Sequence, residues 1–224
     1  MNNKLRVFIV VLITSVLMYI PYVNNFVKIF NTLFHESGHA ITTVLTHGSV
    51  EKISLFSNVE GVTLTRTSSW FDSLLTSMSG YIFASAVALF FAFLWYKNKN
   101  KTILSIILGF SLFNLVFWVR NLYGMSWILI SSALLALVLW KVKQKSFLSS
   151  LSLVLTLILT TEAVLSAFDI MYLGFQSPLD AGDATNLSHS TFLPASLWGI
   201  FFFLQSLVFA FFSVRFILKA KSHV

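Results

Sequence analysis

The chain has 224 residues, of which 57% are hydrophobic and only 10% are charged. Soluble domains carry about 25% charged residues, so this composition excludes a soluble globular protein and a disordered one and predicts a polytopic membrane protein. There is no cysteine, which excludes disulfides and thiolate chemistry, and the net charge of +7 suits short loops beside anionic lipid without requiring a nucleic-acid partner.

Apolar stretches of about 17 to 25 residues predict helices that span the bilayer. About seven such segments follow one another: 7–27, 28–47, 70–96, 102–119, 125–140, 146–175 and 192–218. Basic residues precede the first segment as in a signal peptide, but no cleavage site follows it, so we predict an uncleaved helix. The predicted fold class is therefore an all-α polytopic membrane protein, with residues 1–224 forming a single domain.

Two segments do not have the pattern of a span. Residues 50–67 alternate between apolar and polar side chains on both sides of a turn that contains Gly61. This period of two predicts a small β-hairpin after the second segment. Residues 176–191 are rich in turn-forming and acidic residues, and they predict a loop or a broken helix that leads into the last span.

The strongest chemical signal is an H-E-x-x-H motif formed by His35, Glu36 and His39. On the predicted helix 28–47, residues four apart lie on one face, so the two imidazoles can bind one tetrahedral Zn²⁺. Glu36 can then take a proton from a water activated by the metal, as the catalytic base. The alternative is a pair of structural core histidines. It is disfavoured because three ionisable groups in an apolar segment are costly in lipid.

A catalytic zinc site needs a third protein ligand. The residues that could supply it are Glu162, Asp169, Asp180, Asp183, His47 and His189. Glu162 and Asp169 are seven residues apart and share a helix face, so they could instead line a water channel. His47 fits a helix end at the membrane interface, His189 fits a loop, and Arg120 is predicted to end a span.

Residues 33–81 run from the motif through the predicted hairpin to Gly80 and Tyr81, and they resemble the site-2 protease-like zinc metallopeptidases of membranes. A second stretch resembles the D-A-x-x-L…P…W-G pattern of a short, bacterial-type, single-domain subgroup through Asp183-Ala184, Leu187, Pro194 and Trp198-Gly199. The resemblance implies that His35, His39 and Asp183 bind the zinc. Asp180 stays the alternative ligand, because its surroundings resemble the family's L-D-G motif with Ala181 in place of the glycine.

The resemblance also implies the reaction, which is hydrolysis of peptide bonds in membrane-anchored proteins or peptides, in or near a bacterial cell membrane. The hairpin would hold an unwound substrate by strand addition, or it would only cover the zinc cavity. Two other functions stay open: a membrane zincin with Glu162 as third ligand, and a non-catalytic relative that binds membrane helices.

Overall fold

The computed structural model describes residues 3–220 and the side chains of residues 5–220, so the two ends of the predicted single domain lie outside the described residues. The described part contains eight helices and one two-stranded antiparallel hairpin. In chain order the elements are α1 (Asn3–Met18), α2 (Pro21–Leu45), β1 (Ser49–Leu55), β2 (Gly61–Arg66), α3 (Trp70–Tyr96), α4 (Asn100–Phe117), α5 (Leu122–Lys141), α6 (Lys145–Gln176), α7 (Gly182–Ser190) and α8 (Ala195–Lys219).

Among the described residues, five helices are long and apolar enough to cross a bilayer: α3, α4, α5, α6 and α8. Helices α1 and α2 add a sixth span if they are counted as one bent pair, and their axes differ by 108°. The chain is thus an integral membrane protein, as its composition predicted. The sequence predicted about seven spans because residues 7–27 and 28–47 were counted as two separate helices that each cross the bilayer. The chain instead bends before Pro21, which has no N–H to continue a helix but fits the first turn of a new one.

The predicted hairpin is confirmed. Its strands pair in antiparallel register, with Ile53 opposite Thr63, and the side chains of Ile53 and Leu55 are fully buried. The outer edge of β1 is also occupied, because Ile53 donates a hydrogen bond to the carbonyl of Trp118 and accepts one from the N–H of Arg120. Strand β2 is left as the edge strand of the sheet.

Helix α2 packs directly on α3 through glycine. A Cβ added to Gly38 would lie 2.8 Å from Cβ of Phe83 and 2.9 Å from the carbonyl oxygen of Ser79. Only a residue without a side chain allows the two backbones to approach this closely. Because Gly38 lies inside the H-E-x-x-H motif, the same contact fixes the motif against the middle of α3.

Helices α6 and α8, which precede and follow α7 in the chain, also meet at glycine residues. A Cβ on Gly199 would lie 2.5 Å from Cα of Met171, and a Cβ on Gly174 would lie 3.0 Å from the backbone of Ala195 and Ser196. This close pair holds both ends of the segment 177–194 near the cavity described below.

Arg120 ends α4, as predicted. Its guanidinium group donates hydrogen bonds of 2.8–3.0 Å to the carbonyl oxygens of four residues: Leu115, Val116, Phe117 and Val119. The last carbonyls of a helix have no partner within the helix, so the arginine satisfies groups that lipid could not.

The close approach at Gly199 predicts the effect of adding one methyl group there. We expect Gly199→Ala to lower the free energy of unfolding by about 1–3 kcal/mol, because the methyl group meets the backbone of α6, which cannot rotate away. Unfolding of the purified protein in detergent measures the change. Gly109→Ala is the matched control, since a Cβ on Gly109 meets no atom within 4 Å. Equal stability of the two variants would contradict the packing described here.

Candidate metal centre

Three potential metal ligands from two distant segments meet at one point. His35 and His39 lie one turn apart on α2, and Asp183 lies in the first turn of α7. The Nε2 atoms of the two histidines are 3.0 Å apart, and Oδ2 of Asp183 lies 3.2 Å from each of them. Asp183 therefore lies on a short helix and not in an extended loop. This nine-residue helix is polar, so hydrophobic periodicity could not predict it.

The spacing of these atoms fits a tetrahedral metal ion. With metal–ligand bonds of about 2.0–2.1 Å, two ligand atoms of a tetrahedral zinc site are about 3.3 Å apart. The three observed distances of 3.0, 3.2 and 3.2 Å form a nearly equilateral triangle of that size. Oδ2 of Asp183 is also buried without a hydrogen bond. Its lone pair is therefore free to bind a cation.

A hydrogen bond to α3 sets the protonation state that His39 needs as a ligand. Its Nδ1 lies 2.7 Å from the carbonyl oxygen of Thr76, which can only accept. Nδ1 must therefore carry a proton, so Nε2 is the nitrogen whose lone pair can bind a metal when the ring is neutral. Metal-binding histidines commonly donate their second nitrogen to such a carbonyl.

The Asp183 carboxyl group stays ionised in this position. Burial alone would raise the pKa of Asp183, but the adjacent His39 ring, when it is protonated, lowers it, and the net pKa lies below the ordinary value. A metal ion would favour the ionised carboxylate in the same way, and a ligand carboxylate must be ionised to bind.

The hairpin holds Glu36, the residue predicted as catalytic base. Oε2 of Glu36 accepts a hydrogen bond of 2.6 Å from the hydroxyl group of Thr63 on β2. A Cβ on Gly61 would lie 2.7 Å from Oε1, so the backbone of β2 covers this carboxylate closely. The side chain of Glu36 thus has one oxygen fixed by Thr63 and one that can exchange a proton.

Gly80 and Tyr81 of α3 pack on the histidines from the other side. A Cβ on Gly80 would lie 2.6 Å from Nε2 of both His35 and His39. The ring of Tyr81 meets the ring of His35 edge-on, with 4.5 Å between centroids. Gly80 thus makes a close contact between α3 and α2, and this contact lies directly at the imidazoles.

All these groups open into one cavity of about 1220 Å³. Four of the other candidate ligands, Glu162, Asp169, Asp180 and His189, line its wall. Glu162 makes an ion pair of 3.2 Å with Lys28 of α2. Only the group of His35, His39 and Asp183 brings three potential ligands together among the described side chains. His47 follows the end of α2 and is exposed.

The sequence pattern alone did not indicate that Thr63, Thr76 and Lys28 belong to this region. Threonines are frequent in strands and helices, and their pattern here carries no distinctive signal. Lys28 could have been noticed, since it precedes His35 by two helical turns and so lies on the same face of α2.

The position of Gly80 predicts that a single methyl group disturbs metal binding. We expect Gly80→Ala to weaken binding of Zn²⁺ or Co²⁺ at least about tenfold, because the methyl group would displace the two imidazoles. Metal content of the purified protein and titration with Co²⁺ measure this effect. Gly109→Ala should bind metal as the wild type does. Wild-type affinity in Gly80→Ala would contradict the arrangement of α3 against the histidines.

Comparison with known proteins agrees with the resemblance found in the motifs. The sequence pattern of the Peptidase M50B-like family matches residues 8–213, which is nearly the whole chain. Neither the curated proteins nor the solved structures gave a significant match. The family match covers the motif helix, the hairpin, the spans and α7 together. The chain therefore belongs to the Peptidase M50B-like family, a site-2 protease-like family of membrane peptidases.

Proposed function

We propose that this protein is a zinc-dependent metalloprotease that hydrolyses peptide bonds of membrane-anchored proteins or peptides, in or near the bilayer. The observation that carries the proposal is the triangle of ligand atoms from His35, His39 and Asp183 in the same cavity as Glu36. Family membership supports the protease class. The resemblance to a bacterial-type subgroup supports a bacterial cell membrane as its location.

In this proposal His35, His39 and Asp183 would hold one zinc ion at the wall of the cavity. The bound zinc supplies Lewis-acid activation of a water molecule and of the substrate carbonyl group. Glu36 takes the proton of the attacking water at Oε1 and later gives it to the leaving amine. Thr63 keeps Oε2 in a fixed hydrogen bond, so the carboxylate turns only one oxygen toward the reaction.

Strand β2 is the proposed binding edge for the substrate. A peptide bond inside a transmembrane helix is protected because its carbonyl is hydrogen-bonded within the helix, so the substrate must unwind before cleavage. Residues Gly61, Val62, Thr63 and Thr65 of β2 line the cavity, and no second strand pairs with β2 in the part of the chain that the structure describes. An extended segment could add to this edge by backbone hydrogen bonds and pass beside Glu36.

Metal content and hydrolysis test the proposal together. We expect one zinc per wild-type chain in detergent, lost in Asp183→Ala but kept in Asp180→Ala and Glu162→Ala, because only Asp183 adjoins both histidines. Mass spectrometry of bound metal measures this. Glu36→Gln should keep its zinc and lose at least about 100-fold in peptide hydrolysis, since it removes the general base.

Two results would contradict the proposal. If the folded wild-type protein contains no zinc after metal supplementation, the proposed enzymatic activity is wrong. A non-catalytic relative that binds membrane helices would then be favoured. Loss of zinc in Glu162→Ala alone would favour the zincin with Glu162 as ligand.

The hydrogen bond from Thr63 gives a separate prediction about catalysis. We expect Thr63→Val to reduce kcat about 10- to 100-fold with zinc retained, because the isosteric change frees Oε2 and lets the carboxylate rotate. Thr63→Ser should restore most of the rate. Thr65→Val is the matched control, since it also faces the cavity from β2 and no hydrogen bond joins its hydroxyl group to another described residue. Steady-state hydrolysis of one peptide by all four proteins measures these rates, and an unaffected Thr63→Val would show that the hairpin does not orient the base.

A further inference from the structure

Charge is distributed very unevenly between the cavity and the rest of the protein. The chain has only eight Asp and Glu residues. Six of them line the cavity: Glu36, Glu60, Glu162, Asp169, Asp180 and Asp183. Lys28 is the only Lys or Arg that lines it among the described side chains. A protein with a net charge of +7 therefore has a strongly acidic cavity.

Three of these carboxylates have no ionic partner within the described residues. Lys28 is paired with Glu162, and Asp183 lies against His35 and His39 in the candidate metal centre. Glu36 is fixed by Thr63. Glu60, Asp169 and Asp180 make no ion pair with another described side chain. A zinc ion would offset the charges of Glu36 and Asp183, so the negative charge of these three remains even in the metal-loaded protein.

Asp169 and Asp180 both line the cavity, and both are exposed. The start of α7 packs on α6, since a Cβ on Gly182 would lie 3.8 Å from Cδ1 of Ile170. Asp169 is the neighbour of Ile170, and Asp180 precedes Gly182 by two residues. The contact therefore brings the backbones next to Asp169 and Asp180 together where α7 begins.

An uncharged side chain points to the same kind of ligand. Asn31 of α2 lines the cavity one turn before His35 and is only 6% exposed. Its Oδ1 is buried without a hydrogen-bond partner, a condition that costs about 1–3 kcal/mol. The unpartnered groups of this wall are acceptors, both charged and neutral, and they suit a ligand that donates hydrogen bonds.

We propose that the cavity selects substrate segments that carry a lysine or arginine near the scissile bond, and that Asp169 and Asp180 bind this cation. The inference rests on the proposed protease function and adds its substrate class. Both carboxylates are exposed and therefore accessible to a ligand, and the summed negative charge of the cavity attracts a cationic segment and repels an acidic one.

Binding to an inactive variant tests the proposal directly. The probe is a set of three fluorescent apolar peptides with blocked ends that differ at one position, which is Lys, Gln or Glu. The protein is full-length, zinc-loaded Glu36→Gln in nanodiscs of phosphatidylcholine, a lipid without net charge. We expect the Lys peptide to bind at least about tenfold more tightly than the Glu peptide at low salt, with a smaller ratio at high salt.

The carboxylates are tested by removing their charge. In the same background, Asp169→Asn and Asp180→Asn should each reduce the ratio of Lys to Glu binding, and the double variant should reduce it at least about fivefold. The matched control is the double variant Glu51→Gln and Asp72→Asn, which removes the two acidic residues that do not line the cavity. It should keep the wild-type ratio. Zinc content of every variant reports whether the fold and the metal group persist.

Two outcomes would overturn the inference: equal binding of the three peptides, or a Lys preference that the Asp169 and Asp180 variants leave intact. Both are distinct from failure of the protease itself. If wild-type protein contains zinc and hydrolyses all three peptides at equal rates, the protease proposal stands and the charge selection is wrong. If the protein contains no zinc and hydrolyses no peptide, the protease proposal is wrong, whatever the binding experiment shows.

Discussion

The cost of placing ionisable groups among apolar helices governs this structure. Charges and unpaired polar groups are expensive at membrane depth unless they face one another, a bound ion or water. The protein gathers nearly all of its carboxylates, both motif histidines and Lys28 around one cavity. The helices outside that cavity are left with apolar surfaces. Even Arg120 follows this rule, since its guanidinium satisfies the free carbonyls at the end of α4.

Each side of the metal group is held by a different element, and each does so by close approach. Helix α3 contacts the imidazoles through Gly80 and sets the tautomer of His39 through Thr76. Strand β2 contacts Glu36 through Gly61 and Thr63. Helix α7 supplies Asp183. The helix that carries the motif is thus enclosed by α3 on one side and by the hairpin on another, which explains why a short hairpin occurs within a protein of long helices.

The same arrangement links the chemistry to the choice of substrate. A protease that acts on helical segments needs an edge for the unwound chain, a base beside the scissile bond and a site that recognises one side chain. In the proposed function, strand β2, Glu36 and the carboxylates of Asp169 and Asp180 supply these three, and all of them line one cavity. In this proposal the positive outer surface and the acidic interior have separate tasks, since the first faces lipid and the second faces the substrate.

The sequence by itself determined the membrane class, the hairpin and the identity of the motif helix, because hydropathy, period-two alternation and i, i+4 spacing are local properties of the chain. It did not determine that α1 and α2 form a bent pair, because the effect of Pro21 depends on what packs beside it. It left Asp180, Asp183 and Glu162 open as third ligand on the residues alone. Only the tertiary structure brought Asp183 to the histidines, and it also placed Gly80 and Thr63 at the site. These are contacts between segments far apart in the chain, and packing decides them where local pattern does not.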